Sequence, residues 1–184
     1  MADENEINGA SSMATVLEVY PGARRALFRK YHIGGCQSCG FQPGETLDEL
    51  CERNGTLDLA EVVSEIKAGH EFDLSMEIEP QALQSEKSGG QKTRVLDVRT
   101  REEFEAVCID GAEFVNQELV QELMAKASKD DLLVFCDHSG TQSIDAAAYF
   151  VGHGFTRAKF LRGGIDAWAK EVDPKMRRYK LEST

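Results

Sequence analysis

Two hydrophobic rhythms divide this chain. From residue 13 to about residue 70 the apolar positions recur at helical spacing, most clearly Leu59, Val62, Val63 and Ile66, which share one helix face. Thr15 with Glu18, Thr46 with Glu49 and Asp58 with Glu61 each place a capping side chain three residues before a carboxylate. That spacing satisfies free N–H groups at a helix start. The pattern predicts three short helices: one interrupted at Pro21-Gly22 and resumed through Ala23 to Tyr31, one stopped at Asn54-Gly55, and one ending at Gly69. A bundle of about sixty residues is close to the lower size limit for an independent domain.

Beyond residue 72 the rhythm changes. Short β-rich runs at Met76 to Ile78, Val95 to Val98, Glu113 to Val115, Leu132 to Phe135 and Ala158 to Leu161 alternate with helical runs. The helices are expected at a Thr100 and Glu103 cap, over Gln117 to Ala127, over Ser143 to Gly152 and over Ile165 to Val172. Such alternation implies an α/β domain, a mostly parallel sheet with helices on both faces, preceded here by a small all-α bundle. The expected division is a disordered tail over 1–12, a helical domain over 13–72, an α/β domain over 73–174 and a C-terminal tail over 175–184. A hinge is expected near Phe72 to Ser75, and Ser85 to Gly90 reads as a polar loop. The tail, with Lys175, Arg177, Arg178 and Lys180, reads as a solvated terminus.

Composition narrows the function classes. Hydrophobic residues make up 41% and charged residues 29%, a balance that supports a buried core. The net charge of −11 is spread over both halves and opposes binding to nucleic acid or an anionic membrane surface. The first residues lack the apolar stretch of a secretory signal, so a cytoplasmic location is expected. Five cysteines in such a context point to thiol chemistry or metal binding rather than a disulfide framework.

In an open α/β sheet the functional crevice lies beyond the carboxyl ends of the strands, where this sequence places Arg99, Asn116, Cys136 and Arg162. Cys136 opens the loop Asp137-His138-Ser139-Gly140-Thr141-Gln142, which runs into the helix beginning at Ser143. Backbone N–H groups and a helix dipole could together lower the thiol pKa and make Cys136 a nucleophile acting on an anion. An ordinary buried strand-end cysteine is the competing reading.

Leu96-Asp97-Val98-Arg99-Thr100-Arg101-Glu102-Glu103-Phe104, then Ile109-Asp110-Gly111-Ala112, the Cys136 loop, and Gly154-Phe155 followed by Leu161 to Trp168 together resemble a single rhodanese domain. The resemblance implies a sulfurtransferase fold in which Cys136 carries sulfane sulfur as a persulfide. It also implies that Asp97 and Arg99 belong to the scaffold beside the site and that Gly163, Gly164 and Trp168 are mainly structural. Two features depart from the family pattern: the loop is one residue longer and closes with Gln142 rather than arginine, and Cys108 stands where histidine is frequent. The loop length resembles phosphatases and arsenate reductases of this fold, but Gln142 cannot supply the cationic fork that an oxyanion requires. Asp137 adds negative charge, so thiosulfate capture would rest on Arg99 or Arg162, and a neutral or protein-bound persulfide is the easier donor. His138 is a candidate proton donor to the leaving thiol.

The first domain carries Cys36-Gln37-Ser38-Cys39, with Cys51 further on. A reversible Cys36–Cys39 disulfide, a zinc site using Cys36, Cys39, Cys51 and His32 or His70, and inert thiols all remain open. The segment from Thr15 to Gly69, with Val16-Leu17 and Tyr20-Pro21, then Tyr31 to Cys39 and the Thr46-Leu47-Asp48-Glu49 helix start, resembles the small hybrid-cluster-associated disulfide domain, which implies a redox-linked role. The combined expectation is a sulfurtransferase that takes sulfane sulfur from a persulfide, polysulfide or thiosulfate onto Cys136 and passes it to a thiol acceptor, the dithiol of Cys36 and Cys39 among them. No cofactor is expected. The alternatives are a catalytically weak binding module in sulfur trafficking or redox signalling, and a phosphatase or arsenate reductase.

Overall fold

The computed structural model describes residues 6–34, 40–89 and 92–179. The chain divides into two compact units, Met1–Ser75 and Met76–Thr184.

The first unit contains helices α1 (Met13–Val19), α2 (Ala23–Tyr31), α3 (Leu47–Arg53) and α4 (Leu59–Ser75). Met13, Val16, Leu27, Leu47, Leu50, Val62 and Ile66 form its core. Thr46 and Glu49 form the reciprocal capping box expected of them, and Asp58 accepts from the Glu61 N–H at 2.8 Å. The α1 cap is Ser12 rather than Thr15: the Ser12 hydroxyl accepts from the Thr15 N–H at 3.2 Å. The third predicted helix does not stop at Gly69. Its buried stripe Val62, Ile66, Gly69 and Asp73 keeps helical spacing to the end of α4. A Cβ on Gly69 would lie 2.9 Å from the Ala26 Cβ, so this glycine allows α2 and α4 to approach rather than ending a helix. Asp73 pairs with Arg25 of α2. The expected hinge from Phe72 to Ser75 is therefore the last turn of α4.

The second unit runs β1 (Glu77–Ile78), α5 (Pro80–Ser88), β2 (Thr93–Asp97), α6 (Arg101–Ala106), β3 (Glu113–Phe114), α7 (Gln117–Lys126), β4 (Leu132–Cys136), α8 (Ser143–Gly152), β5 (Ala158–Leu161) and α9 (Gly164–Glu171). Its described residues form a five-stranded sheet in the order β1-β5-β4-β2-β3, every pair parallel. Central β4 is buried along its whole length, which accounts for its uninterrupted apolar run Leu132-Leu133-Val134-Phe135-Cys136. Its side chains alternate between two cores. Leu133 and Phe135 pack with Leu96, Leu123, Ala147 and Phe150, whereas Leu132, Val134 and Cys136 pack with Leu83, Leu161 and Trp168. Each fully buried large apolar side chain contributes about 1.5–3 kcal/mol.

The segment read as a polar loop at 85–90 mostly belongs to α5. This helix begins with Pro80 at its first turn and buries only Pro80 and Leu83. The Ser85 and Ser88 hydroxyls donate to the Gln81 and Gln84 carbonyls, so the polar run lies on an exposed helical face. The tail after Pro174 is not a free solvated terminus as far as residue 179. Met176 packs against the core that holds Cys136, Arg178 pairs with Asp166 at 2.8 Å, and Tyr179 reaches Arg99. Among the described residues no helix is long and apolar enough to cross a membrane.

Candidate active site

The parallel register sets Asp97 of β2 beside Cys136 of β4 at the carboxyl edge of the sheet, and the Val98 N–H donates to the Cys136 carbonyl at 2.9 Å. From Cys136 the chain turns through Asp137 to Gln142 into α8. The turn rests on the β5–α9 connection: the Ile165 and Asp166 N–H groups donate to the Asp137 and His138 carbonyls at 2.9 and 3.2 Å. Gly164 has φ +58°, and a Cβ there would lie 2.4 Å from the Asp137 carbonyl oxygen, so the loop needs glycine beneath it.

A cleft of about 470 Å³ opens over this loop and is lined by Val98, Arg99, Glu103, His138, Thr141 and Gln142, with Thr100, Asp137 and Ser139. Cys136 itself does not line the cleft and has no exposed surface. Burial pushes its thiol well above the ordinary range; Asp97 and Asp137 add to the rise, and Arg99 offsets part of it. This is opposite to the lowered thiol expected from the helix N-terminus: burial dominates, and the loop amides expected to offset it are turned to Asp137. The Gly140, Thr141 and Gln142 N–H groups donate to the Asp137 carboxylate at 2.5, 3.1 and 2.7 Å, and the Ser143 hydroxyl donates to it at 3.1 Å.

The two arginines expected to receive an anion are otherwise engaged. Arg99 donates from Nε and Nη2 to Asp97 at 2.9 and 2.6 Å, from Nη2 to the Val107 carbonyl at 2.7 Å and from Nη1 to the Tyr179 hydroxyl at 2.7 Å. Its side chain and that of Asp97 are buried, and these bonds outweigh desolvation to hold its pKa above the usual value. Arg162 does not join the cleft. It is paired with Glu79, and with Glu171 at 2.9 Å, because β1 and α9 flank the end of β5 on that side. Asn116 caps α7 by accepting from the Leu119 N–H at 2.8 Å.

Sequence reasoning missed Tyr179, and it read Glu103 only as the capping partner of Thr100. The Tyr179 hydroxyl bridges Arg99 and Glu103, donating to the latter at 2.8 Å, and its ring lies 4.7 Å from the His138 ring between centroids. Burial alone would raise the Glu103 carboxyl, but hydrogen bonds from Tyr179 and Thr100 hold it low. An aromatic residue in a basic tail is too weak a signal to indicate this bridge. His138 keeps its imidazole at the loop, with a buried Nδ1 that has no hydrogen-bond partner among the described residues.

The remaining cysteines are separately placed. Cys108 is half-buried, and burial raises its thiol. Cys51 packs in the core of the first unit, where burial raises its thiol too. His32 closes α2, and His70 packs edge-on against Tyr20. Among the described residues no group of three potential ligands could hold a metal, and Cys36 and Cys39 lie outside the described residues.

Because folding raises the Cys136 pKa, the native state holds that proton more tightly than the unfolded chain. The resulting stability is present below the ordinary thiol pKa and lost as pH rises through the folded value. Alkylation of native Cys136 is expected to be slow at neutral pH and to keep accelerating beyond about pH 8.5, where a free thiol levels off. A rate that levels off near pH 7, followed by peptide mass, would contradict this arrangement.

Comparison with known proteins places the second unit. The family profile described as "Rhodanese-like domain" matches residues 79–171. A probable adenylyltransferase/sulfurtransferase, MoeZ, from Mycobacterium tuberculosis is 36% identical over 104 residues, covering 55% of this chain but only 26% of that protein. A sulfurtransferase of Allochromatium vinosum is 33% identical over 99 residues, or 53% of this chain and 92% of the relative. The thiosulfate sulfurtransferase GlpE of Pseudomonas aeruginosa is 34% identical over 88 residues, or 48% and 77%.

Proposed function

The chain belongs to the rhodanese-like domain family, and from that premise we propose that it is a sulfurtransferase in which Cys136 accepts sulfane sulfur as a persulfide. The observation that carries the reading is the placement of a cysteine at the end of the central strand, where it opens a turn onto the N-terminus of α8 whose residues Asp137, His138, Thr141 and Gln142 line a cleft. The sulfurtransferase names of relatives that match over most of their own length support the same class.

In the proposed step Cys136, having lost its proton to solvent, attacks the outer sulfur of the donor. The donor S–S bond breaks, its electron pair leaves on the donor thiolate, and Cys136 keeps the sulfur. Because Cys136 is buried, the proposed step includes a movement of its loop that exposes the sulfur to the donor. His138 is the group proposed to protonate the leaving thiolate. Phosphatase or arsenate reductase chemistry is disfavoured, since Gln142 closes the loop and the loop amides are committed to Asp137. The buried thiol is the observation that favours the other reading, a catalytically weak binding module. Loading separates them: a module acquires no sulfur on Cys136 from a sulfane donor, and a sulfurtransferase does.

The proposal extends to discharge by the dithiol of Cys36 and Cys39. The Cys36 thiolate takes the outer sulfur and releases Cys136 as thiolate; Cys39 then attacks the inner Cys36 sulfur, closing a disulfide and expelling hydrosulfide. The dithiol is oxidised by two electrons and the sulfane sulfur is reduced. In a single turnover, loaded wild type should release sulfide and gain one Cys36–Cys39 disulfide, whereas Cys39→Ser should retain the sulfur. Equal discharge with both residues replaced, or one tightly held zinc per chain, sinks the relay. A cytoplasmic setting, where thiol acceptors stay reduced, suits this chemistry.

A further inference from the structure

We propose that Asp137 is the donor-selecting residue of this site: its carboxylate occupies the amide cradle that an oxyanion would need, so the loop admits persulfide-type donors and turns away thiosulfate. This rests on the sulfurtransferase reading above and specifies its substrate class.

Successive N–H groups of a turn running into a helix form a concave site for an anion. Here Gly140, Thr141 and Gln142 make such a site together with the Ser143 hydroxyl, and the two oxygens of Asp137 fill it. The carboxylate is built in rather than passing through, since Asp137 is only 2% exposed. Gly140 turns its N–H inward with φ +83°, and a Cβ there would meet the Gly163 N–H nitrogen and the Leu161 carbonyl oxygen at 2.8 Å. A bound oxyanion would have to displace a tethered carboxylate from four donors.

The charges lining the cleft do not compensate. Arg99 is already neutralised by the buried Asp97 and is further bonded to Tyr179, and the other charged groups among the lining residues are Asp137 and Glu103. Thiosulfate brings two negative charges and leaves as sulfite, which also carries two, so its sulfonate end needs the cradle before and after the S–S bond breaks. A persulfide delivers its outer sulfur from a reacting group that carries at most one charge and leaves as a thiolate, so no sulfonate or sulfite has to be seated at the loop. Like charge placed against like charge excludes a wrong partner without any new attraction to the right one.

The test compares wild type with Asp137→Asn, which keeps an acceptor oxygen but removes the charge, and Asp137→Ala, which empties the cradle. Loading of Cys136 is followed by intact mass with thiosulfate and, separately, with glutathione persulfide. The ratio of the thiosulfate rate to the persulfide rate should rise about ten- to a hundredfold in the variants. Sulfate, which cannot transfer sulfur, should raise the Tm of the variants and leave that of wild type unchanged. The Cys136 alkylation profile should move to lower pH in Asp137→Asn, because the carboxylate charge that helps to raise the thiol is gone. If Asp137→Ala does not fold, Asp137→Asn carries every arm. Equal wild-type loading from both donors, or an unchanged ratio with no sulfate response, overturns the assignment. Failure of all proteins to load from either donor defeats the sulfurtransferase reading instead. The sulfate response still reads the cradle in that case: stabilisation confined to the variants supports Asp137 as its occupant, and its absence overturns it.

Discussion

Replacing Cys136 with serine is expected to lower sulfur transfer by about a thousandfold or more, because an alkoxide precursor neither attacks a sulfane sulfur at neutral pH nor holds one as a persulfide. Turnover is measured as sulfur delivered from a persulfide donor to a thiol acceptor. The same change places a hydroxyl among Val134, Leu161 and Trp168, where burial without a partner costs about 1–3 kcal/mol. Cys136→Ala avoids that hydroxyl and should lose transfer equally. Retention of wild-type turnover by either folded variant would move the reactive sulfur elsewhere in the chain.

The second large effect is on stability. The Arg99 and Asp97 side chains are 2% and 0% exposed, joined at 2.6 Å, and Arg99 also donates to Val107 and Tyr179. Removing one partner leaves a charge buried alone. Arg99→Ala should therefore cost about 3–5 kcal/mol, a large share of the roughly 5–15 kcal/mol that holds a typical domain. Arg99→Lys should also destabilise, since an ammonium cannot form the fork to both carboxylate oxygens. Tyr179→Phe, which deletes only the hydroxyl bridge, should cost about 1 kcal/mol. Denaturant unfolding measures all three, and a loss below about 1 kcal/mol for Arg99→Ala would mean that water reaches the pair.

Strand β4 was legible because burial on both faces leaves an uninterrupted apolar run, and β5 falls on the expected segment Ala158–Leu161 although Lys159 interrupts its apolar residues. The Thr46 and Thr100 caps were legible because a capping box is local, confined to four residues. Helix α5 was hidden by a buried stripe of only Pro80 and Leu83, and the end of α4 by a stripe completed with Gly69 and Asp73 rather than apolar residues.

At the site, strand-end positions could be read, but the partners across the fold could not. Which acid neutralises Arg162 depends on Glu79, far back along the chain, and on Glu171. The Arg99 hydroxyl partner likewise comes from Tyr179, near the opposite end of the unit. The negative charge of Asp137 was evident from its residue type. Its direction, inward onto the amides of its own loop, is a backbone property that composition does not record.

Intact mass with peptide mapping after exposure to a sulfane-sulfur donor reads out whether Cys136 is the sulfur carrier. With five cysteines in the chain, the position of the added sulfur matters as much as its presence. Wild type should gain one sulfur atom on the peptide containing Cys136, and Cys136→Ser should gain none there while the other four cysteines remain available. Wild type that takes up no sulfur, or takes it up on another cysteine while the Cys136 peptide stays unmodified, contradicts the account.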